Sequence, residues 1–190
     1  MRRASLPRQV ADAKRIMVHA PPFENTKRGA DEPNETMDKV FHFDSAPEPY
    51  VADAAVLTCF DQRIRQTVNK FLQRRGILRP DMIVVAGGAK TLASPRSDSE
   101  RDFILDQIRM SILLHGTKRA FLVCHSDCGA YGGLAAYNSD AGAEAKHHFE
   151  ELERAADLLK TRFPELDIAC VLVNFEGVFV NGAQAPDEAG

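Results

Sequence analysis

The stretch Ala54-Ala55-Val56-Leu57-Thr58-Cys59-Phe60-Asp61-Gln62-Arg63 decides the fold. Its first seven residues carry no charge, the pattern of a strand buried on both faces. Asp61 then offers a side-chain oxygen suited to capping a helix. Ile64, Val68, Phe71 and Leu72 recur at helical spacing, and Gly76 ends the helix. A doubly buried strand that feeds straight into a helix is the first half of a βαβ unit.

The same alternation continues outward. Met82-Ile83-Val84-Val85-Ala86 reads as a second buried strand, closed by Gly87-Gly88. A loop through Pro95 leads to Ser97 or Ser99 as N-cap. The helix that follows carries Phe103, Ile104, Ile108, Ile112 and Leu113 and runs to His115-Gly116. Ala120-Phe121-Leu122-Val123-Cys124 is the third buried strand, and a loop with Gly129, Gly132 and Gly133 comes after it. A long helix is expected over 143–162, with Phe149, Leu152, Ala156 and Leu159 on its inward face. Ile168-Ala169-Cys170-Val171-Leu172-Val173 forms the fourth strand. Alternating strands and helices require crossovers between parallel strands. The expected class is therefore α/β, with a mostly parallel central β-sheet and helices on both faces.

Residues 1–50 differ from the rest. Pro7, Pro21, Pro22, Pro33, Pro47 and Pro49 interrupt them, with charge scattered between. They read as an arm ordered in part, with a short helix over 9–19 and a short strand at Val40-Phe41-His42-Phe43. Residues 51–190 form the main domain, and its tail after Asn181 is expected to fray. The 190-residue length fits one domain, and an apolar share of 44% is enough to fill one core. With 24 Lys and Arg against 27 Asp and Glu, the net charge is −3, which speaks against a polyanionic partner such as nucleic acid. No run reaches the roughly 18–20 apolar residues of a membrane span. The basic N-terminus lacks the apolar core of a secretory signal. A cytoplasmic location is the expectation.

In an open parallel sheet, ligands bind beyond the carboxyl ends of the strands. Three such ends carry chemistry here: Cys59-Phe60-Asp61-Gln62-Arg63, Ala86-Gly87-Gly88-Ala89-Lys90 and His125-Ser126-Asp127-Cys128-Gly129. If these strands are neighbours, Cys59, His125 and Cys128 meet. Two thiolates and one imidazole neutralise and select zinc, and three protein ligands leave one exchangeable position. Asp61 has two expected uses. It ligates the fourth position and closes the site, or it pairs with Arg63 and accepts a hydrogen bond from water activated by the metal.

Cys-x-Asp-x-Arg followed some 60 residues later by His-x-x-Cys resembles the β-class carbonic anhydrases. The resemblance runs over residues 54–173. It implies a parallel sheet extended by an antiparallel edge, and zinc held by Cys59, His125 and Cys128. It also implies a dyad of Asp61 and Arg63 that gates the fourth position. The activity implied is reversible hydration of carbon dioxide to bicarbonate and a proton. Dimers or dimers of dimers are implied too, with residues 1–50 embracing the partner. Relatives with the same ligands hydrolyse carbon disulfide or carbonyl sulfide, and a catalytically silent zinc-binding relative is a further alternative. This chain has Gln62 where the family usually has Ser, Val84-Val85 where it often has Arg-Asn, and Cys124 where Gly is common.

The remaining residues receive plainer readings. Cys124 alternates away from His125 and is assigned to the core, as is Cys170 in mid-strand. Asp127 is expected to hydrogen-bond the loop backbone beside the metal ligands. Gly87-Gly88 lacks the full dinucleotide fingerprint. Lys90 is read as a solvated lysine, and His147 and His148 as exposed helix residues.

Overall fold

The computed structural model describes residues 41–45 and 47–181. The chain divides into two compact units, Met1–Ala46 and Pro47–Gly190. In the first, the described residues have no regular secondary structure. The strand expected at Val40-Phe41-His42-Phe43 is therefore absent from Phe41 onward, because a short alternating run is not a strand without a ladder partner. Val40, the helix expected over 9–19 and the tail after Asn181 lie outside the described residues.

The second unit holds five strands and four α-helices among its described residues. In chain order these are β1 (Ala54–Thr58), α1 (Gln62–Arg74), β2 (Pro80–Val84), α2 (Lys90–Ala93), α3 (Asp98–His115), β3 (Arg119–His125), α4 (Ala141–Arg162), β4 (Asp167–Val173) and β5 (Val178–Asn181). Two short 3₁₀ turns, Gly129–Tyr131 and Leu134–Tyr137, lie between β3 and α4. The sheet order is β2-β1-β3-β4-β5. β1 pairs in parallel with β2 and β3, and β3 with β4; β5 runs antiparallel to β4. The mostly parallel α/β sheet is thus observed, with the antiparallel edge at β5.

Period-two alternation divides the core between the two faces of the sheet. Leu57, Ala120, Leu122, Cys124 and Leu172 face Ile104 and Ile108 of α3 and Leu152, Ala155 and Leu159 of α4. Val56, Phe121, Val123, Val171 and Val173 face Ile64, Val68 and Leu72 of α1. The helix boundaries follow local chemistry. Asp61 accepts from the Arg63 amide at the start of α1, and Ser97 accepts from the Glu100 amide at the start of α3. Gly116 ends α3 at φ 64°, a left-handed conformation that suits glycine.

Two expectations need correction. β2 is not buried on both faces, for it lies at the sheet edge with β1 as its one neighbour, and Met82 and Val84 are 40% and 49% exposed. The loop expected before Pro95 contains α2, whose Leu92 is buried with the preceding Ala89 in the core shared by α3 and α4. Among the described residues, no helix is long and apolar enough to cross a membrane.

Candidate metal centre

The chain leaves β1, forms β2 on one side of it, then returns to form β3 on the other. The carboxyl ends of β1 and β3 therefore flank a topological switch point, where an open parallel sheet leaves a crevice. Cys59 directly follows β1, and His125 is the last residue of β3. Cys128 comes three residues later, where its carbonyl accepts from the amides of Tyr131 and Gly133. One ligand atom from each of Cys59, His125 and Cys128 lies within 4.8 Å of the others. The three residues are 8%, 1% and 1% exposed.

The donor set fits a zinc ion. His125 Nδ1 lies 2.9 Å from the Ser126 carbonyl, which can only accept, so this nitrogen carries a proton. Nε2 is buried and has no hydrogen-bond partner. A buried orphan nitrogen beside two sulfurs is what a metal ligand looks like. The two sulfurs lie close enough for each to govern the other's ionisation. The Cys128 thiol, the His125 ring and the Gly87 and Asp61 amides draw Cys59 down to about 4 against the opposing effect of burial. Cys128 is correspondingly raised, by the Cys59 sulfur first and by burial second. Gly87 donates its amide to Cys59 Sγ at 3.4 Å. The neighbouring Gly88 has φ 55° and packs so closely that a Cβ there would overlap the Val123 carbonyl oxygen. The Gly87-Gly88 turn thus holds Cys59 rather than a nucleotide.

Asp61 and Arg63 sit at the rim of this cluster. Asp61 Oδ2 accepts from Arg63 Nη2 at 2.7 Å, and both carboxylate oxygens lie 3.1 Å from Nε. Arg63 holds the Asp61 carboxyl down at about 2. The same Oδ2 is 3.9 Å from His125 Nε2, so the paired carboxylate borders the ligand cluster. Arg63 also donates from Nη1 to Asp127 Oδ2 at 2.8 Å and from Nη2 to the Asp127 carbonyl at 2.9 Å, and it lies over the Phe175 ring. Beside Cys59, a cavity of about 420 Å³ is lined by Phe60, Gln62, Met82 and Val84 among others.

Several residues outside this cluster differ from their sequence readings. His148 is fully buried and His147 half-buried, not exposed. α4 turns Glu144, His148 and Glu151 inward in line with Leu152, Ala155 and Leu159. The inward face expected at Phe149 and Ala156 is only partly buried. Burial lowers His148 to about 4 and raises Glu144. Lys90 is half-buried rather than solvated: its Nζ reaches Ser94 Oγ at 3.0 Å and lies over the Tyr131 ring. Glu151 has no counterpart in the sequence reading. Burial opposes its charge, but Ser94, Arg154 and Tyr131 together hold its carboxyl below the usual range. The signal for this cluster was the spacing of Glu144, His148 and Glu151, which extends the apolar stripe of α4 at helical period. Cys124 and Cys170 are buried, and Cys124 Sγ lies 3.6 Å from the Tyr131 hydroxyl. All four cysteines are free.

A family model described as "Putative carbonic anhydrase" matches residues 51–181. An uncharacterized protein of Rickettsia bellii (strain RML369-C) is 27% identical over 130 residues, 67% of this chain and 79% of that protein. An uncharacterized protein of Rickettsia conorii (strain ATCC VR-613 / Malish 7) is 25% identical over 130 residues, 67% of this chain and 70% of that one. Among solved structures, a carbonic anhydrase from Streptococcus mutans is similar with a TM-score of 0.50 at 19% identity, covering 73% of this chain and 88% of that one.

Proposed function

This chain belongs to the carbonic anhydrase family matched over residues 51–181, and from that premise we propose that it is a zinc enzyme hydrating carbon dioxide reversibly to bicarbonate and a proton. The observation that carries the reading is the convergence of Cys59, His125 and Cys128 beside an Asp61 carboxylate already engaged by Arg63. Cys59, His125 and Cys128 would hold the metal, leaving one position for exchange. When bound there, zinc would supply Lewis-acid activation of water at neutral pH.

The chain's own residues have distinct roles in this reading. Both Asp61 oxygens accept from Arg63, so the carboxylate is fixed in place and stays ionised. Its Oδ2 can then accept a hydrogen bond from a group that carries a proton, and it disfavours one that offers only lone pairs. This supports the gating use of Asp61 over its use as a fourth ligand. A carboxyl held near 2 cannot store a proton at neutral pH, so the released proton passes to solvent or buffer. The apolar wall of Phe60, Met82 and Val84 suits an uncharged substrate, and Arg65 in the same lining offers a cation to the anionic product.

Stopped-flow measurement of proton release by the zinc-loaded protein tests the proposal. Turnover should be seen between roughly pH 6 and 9, the range around the pKa of zinc-activated water. Its absence across that range would sink the reading. Sulfide release from carbon disulfide or carbonyl sulfide would redirect the substrate assignment. An absorption spectrum of cobalt-substituted protein that ignores pH would indicate a closed, silent site with Asp61 as ligand. We read the working form as a cytoplasmic homodimer or dimer of dimers in which residues 1–50 act as an arm. Sedimentation of the full chain and of a chain lacking those residues checks the assembly.

A further inference from the structure

We propose that Glu144, on α4, is a positioning residue for the metal loop and the Asp61–Arg63 pair, acting through the backbone of Asp127. The proposal rests on the metal-centre reading given above. Asp127 lies between His125 and Cys128 and adopts φ 53°, a left-handed conformation uncommon for any residue but glycine. All its polar groups are engaged. Its side chain accepts from the Leu134 amide at 3.0 Å and from Arg63 Nη1 at 2.8 Å, and its carbonyl accepts from Arg63 Nη2 at 2.9 Å. Its amide donates to Glu144 Oε1 at 2.8 Å. Glu144 thus ties α4 directly to the backbone of this turn.

The burial of Glu144 needs a reason. It is 1% exposed, and among the described residues no Lys or Arg forms an ion pair with it. Its titratable neighbour on α4 is His148, whose Nε2 lies 3.6 Å from Oε1 and whose ring nitrogens have no hydrogen-bond partner. From the loop side it faces Asp127. A buried carboxylate is costly, and an apolar residue would serve packing alone, as Leu152, Ala155 and Leu159 do along the same helix. What requires an acceptor here is the Asp127 amide, which the left-handed turn points into the protein. Hydrogen bonds then run unbroken from Glu144 through Asp127 and Arg63 to Asp61. Losing the first would free the turn that sets Cys128 against His125 and would slacken Arg63.

The test uses the full-length, zinc-loaded, ¹⁵N-labelled chain. In the wild type, the Asp127 amide should resonate downfield and resist hydrogen exchange. In Glu144→Ala it should move upfield and lose protection. Zinc release to a chelator should then quicken by about 10–100-fold, and kcat should fall by a similar factor with KM little changed. Glu144→Gln keeps an acceptor of the same shape and should restore most of kcat and the slow zinc release, with only a partial upfield shift. Glu150→Gln, on the exposed face of the same helix where it pairs with Lys146, should leave the Asp127 amide unmoved. An Asp127 amide that exchanges freely in the wild type would overturn the proposal, and needs no variant to measure. So would a Glu144→Ala protein with wild-type amide protection and zinc release. If the wild type fails to hydrate carbon dioxide, the functional reading falls, while the amide and zinc-release measurements still decide the role of Glu144.

Discussion

Asp61 serves two elements at once. Its Oδ1 caps α1 through the Arg63 amide, and its two oxygens grip the Arg63 side chain at the edge of the ligand cluster. Asn preserves the cap and the shape but not the charge. Asp61→Asn should therefore keep one zinc per chain and lose activity by about 10–100-fold, read as kcat by stopped flow. The pair also predicts a pH dependence. The Asp61 pKa is lower in the folded state than its ordinary value of 3.8, reaching about 2 through Arg63. Its stabilisation is thus present above the ordinary value and is lost as pH falls through about 2. The difference in Tm between wild type and Asp61→Asn should hold steady from neutral pH down to about 4 and shrink below it. Among the thiols, Cys124→Ser and Cys170→Ser should retain zinc, whereas Cys59→Ser and Cys128→Ser should lose it, as metal analysis of the purified proteins would record.

At the scale of elements, the site is made by what lies between regular structures. β1 and β3 end side by side, and the Gly87-Gly88 turn after β2 folds against both ends. Gly88→Ala combines a positive φ with overlap onto the Val123 carbonyl. It should destabilise the protein by about 1–3 kcal/mol, measured by urea unfolding. The weak burial of β2 shows why its hydrophobicity misled. A run of Met, Ile and Val reads as a central strand, yet edge or centre is decided by the order of strands in the sheet, which no local pattern encodes. The inward polar face of α4 has a similar origin. Glu144, His148 and Glu151 have the composition of a solvated helix, and only their partners in the loop, α2 and the first 3₁₀ turn make them interior. Leu152→Ala, on the apolar part of that face, should cost about 2–5 kcal/mol in the same assay.

Across the whole molecule, the three candidate ligands come from two strand ends, with 65 residues of chain between Cys59 and His125. Binding one ion there would therefore close a long loop and favour the folded state. Chelation of zinc should lower Tm, with each kcal/mol of lost stability worth about 2–4 °C in a chain of this size; differential scanning calorimetry with and without chelator measures it. The strand-helix alternation, the cap at Asp61, a serine cap at 97 or 99 and the convergence of Cys59, His125 and Cys128 were all legible in the sequence. Each is a local pattern, or a pairing of residue types whose chemistry has few other uses. The sequence also separated Cys124 from His125, because adjacent strand residues must point to opposite faces. The tertiary structure alone decided which strand is an edge, that Lys90 folds back onto Ser94 and Tyr131, and that a carboxylate and an imidazole of α4 lie buried behind the metal loop. These depend on which elements become neighbours. A charged side chain reads as exposed until the fold brings a partner to it, and its partner here, the Asp127 amide, is a backbone group that no residue name reveals.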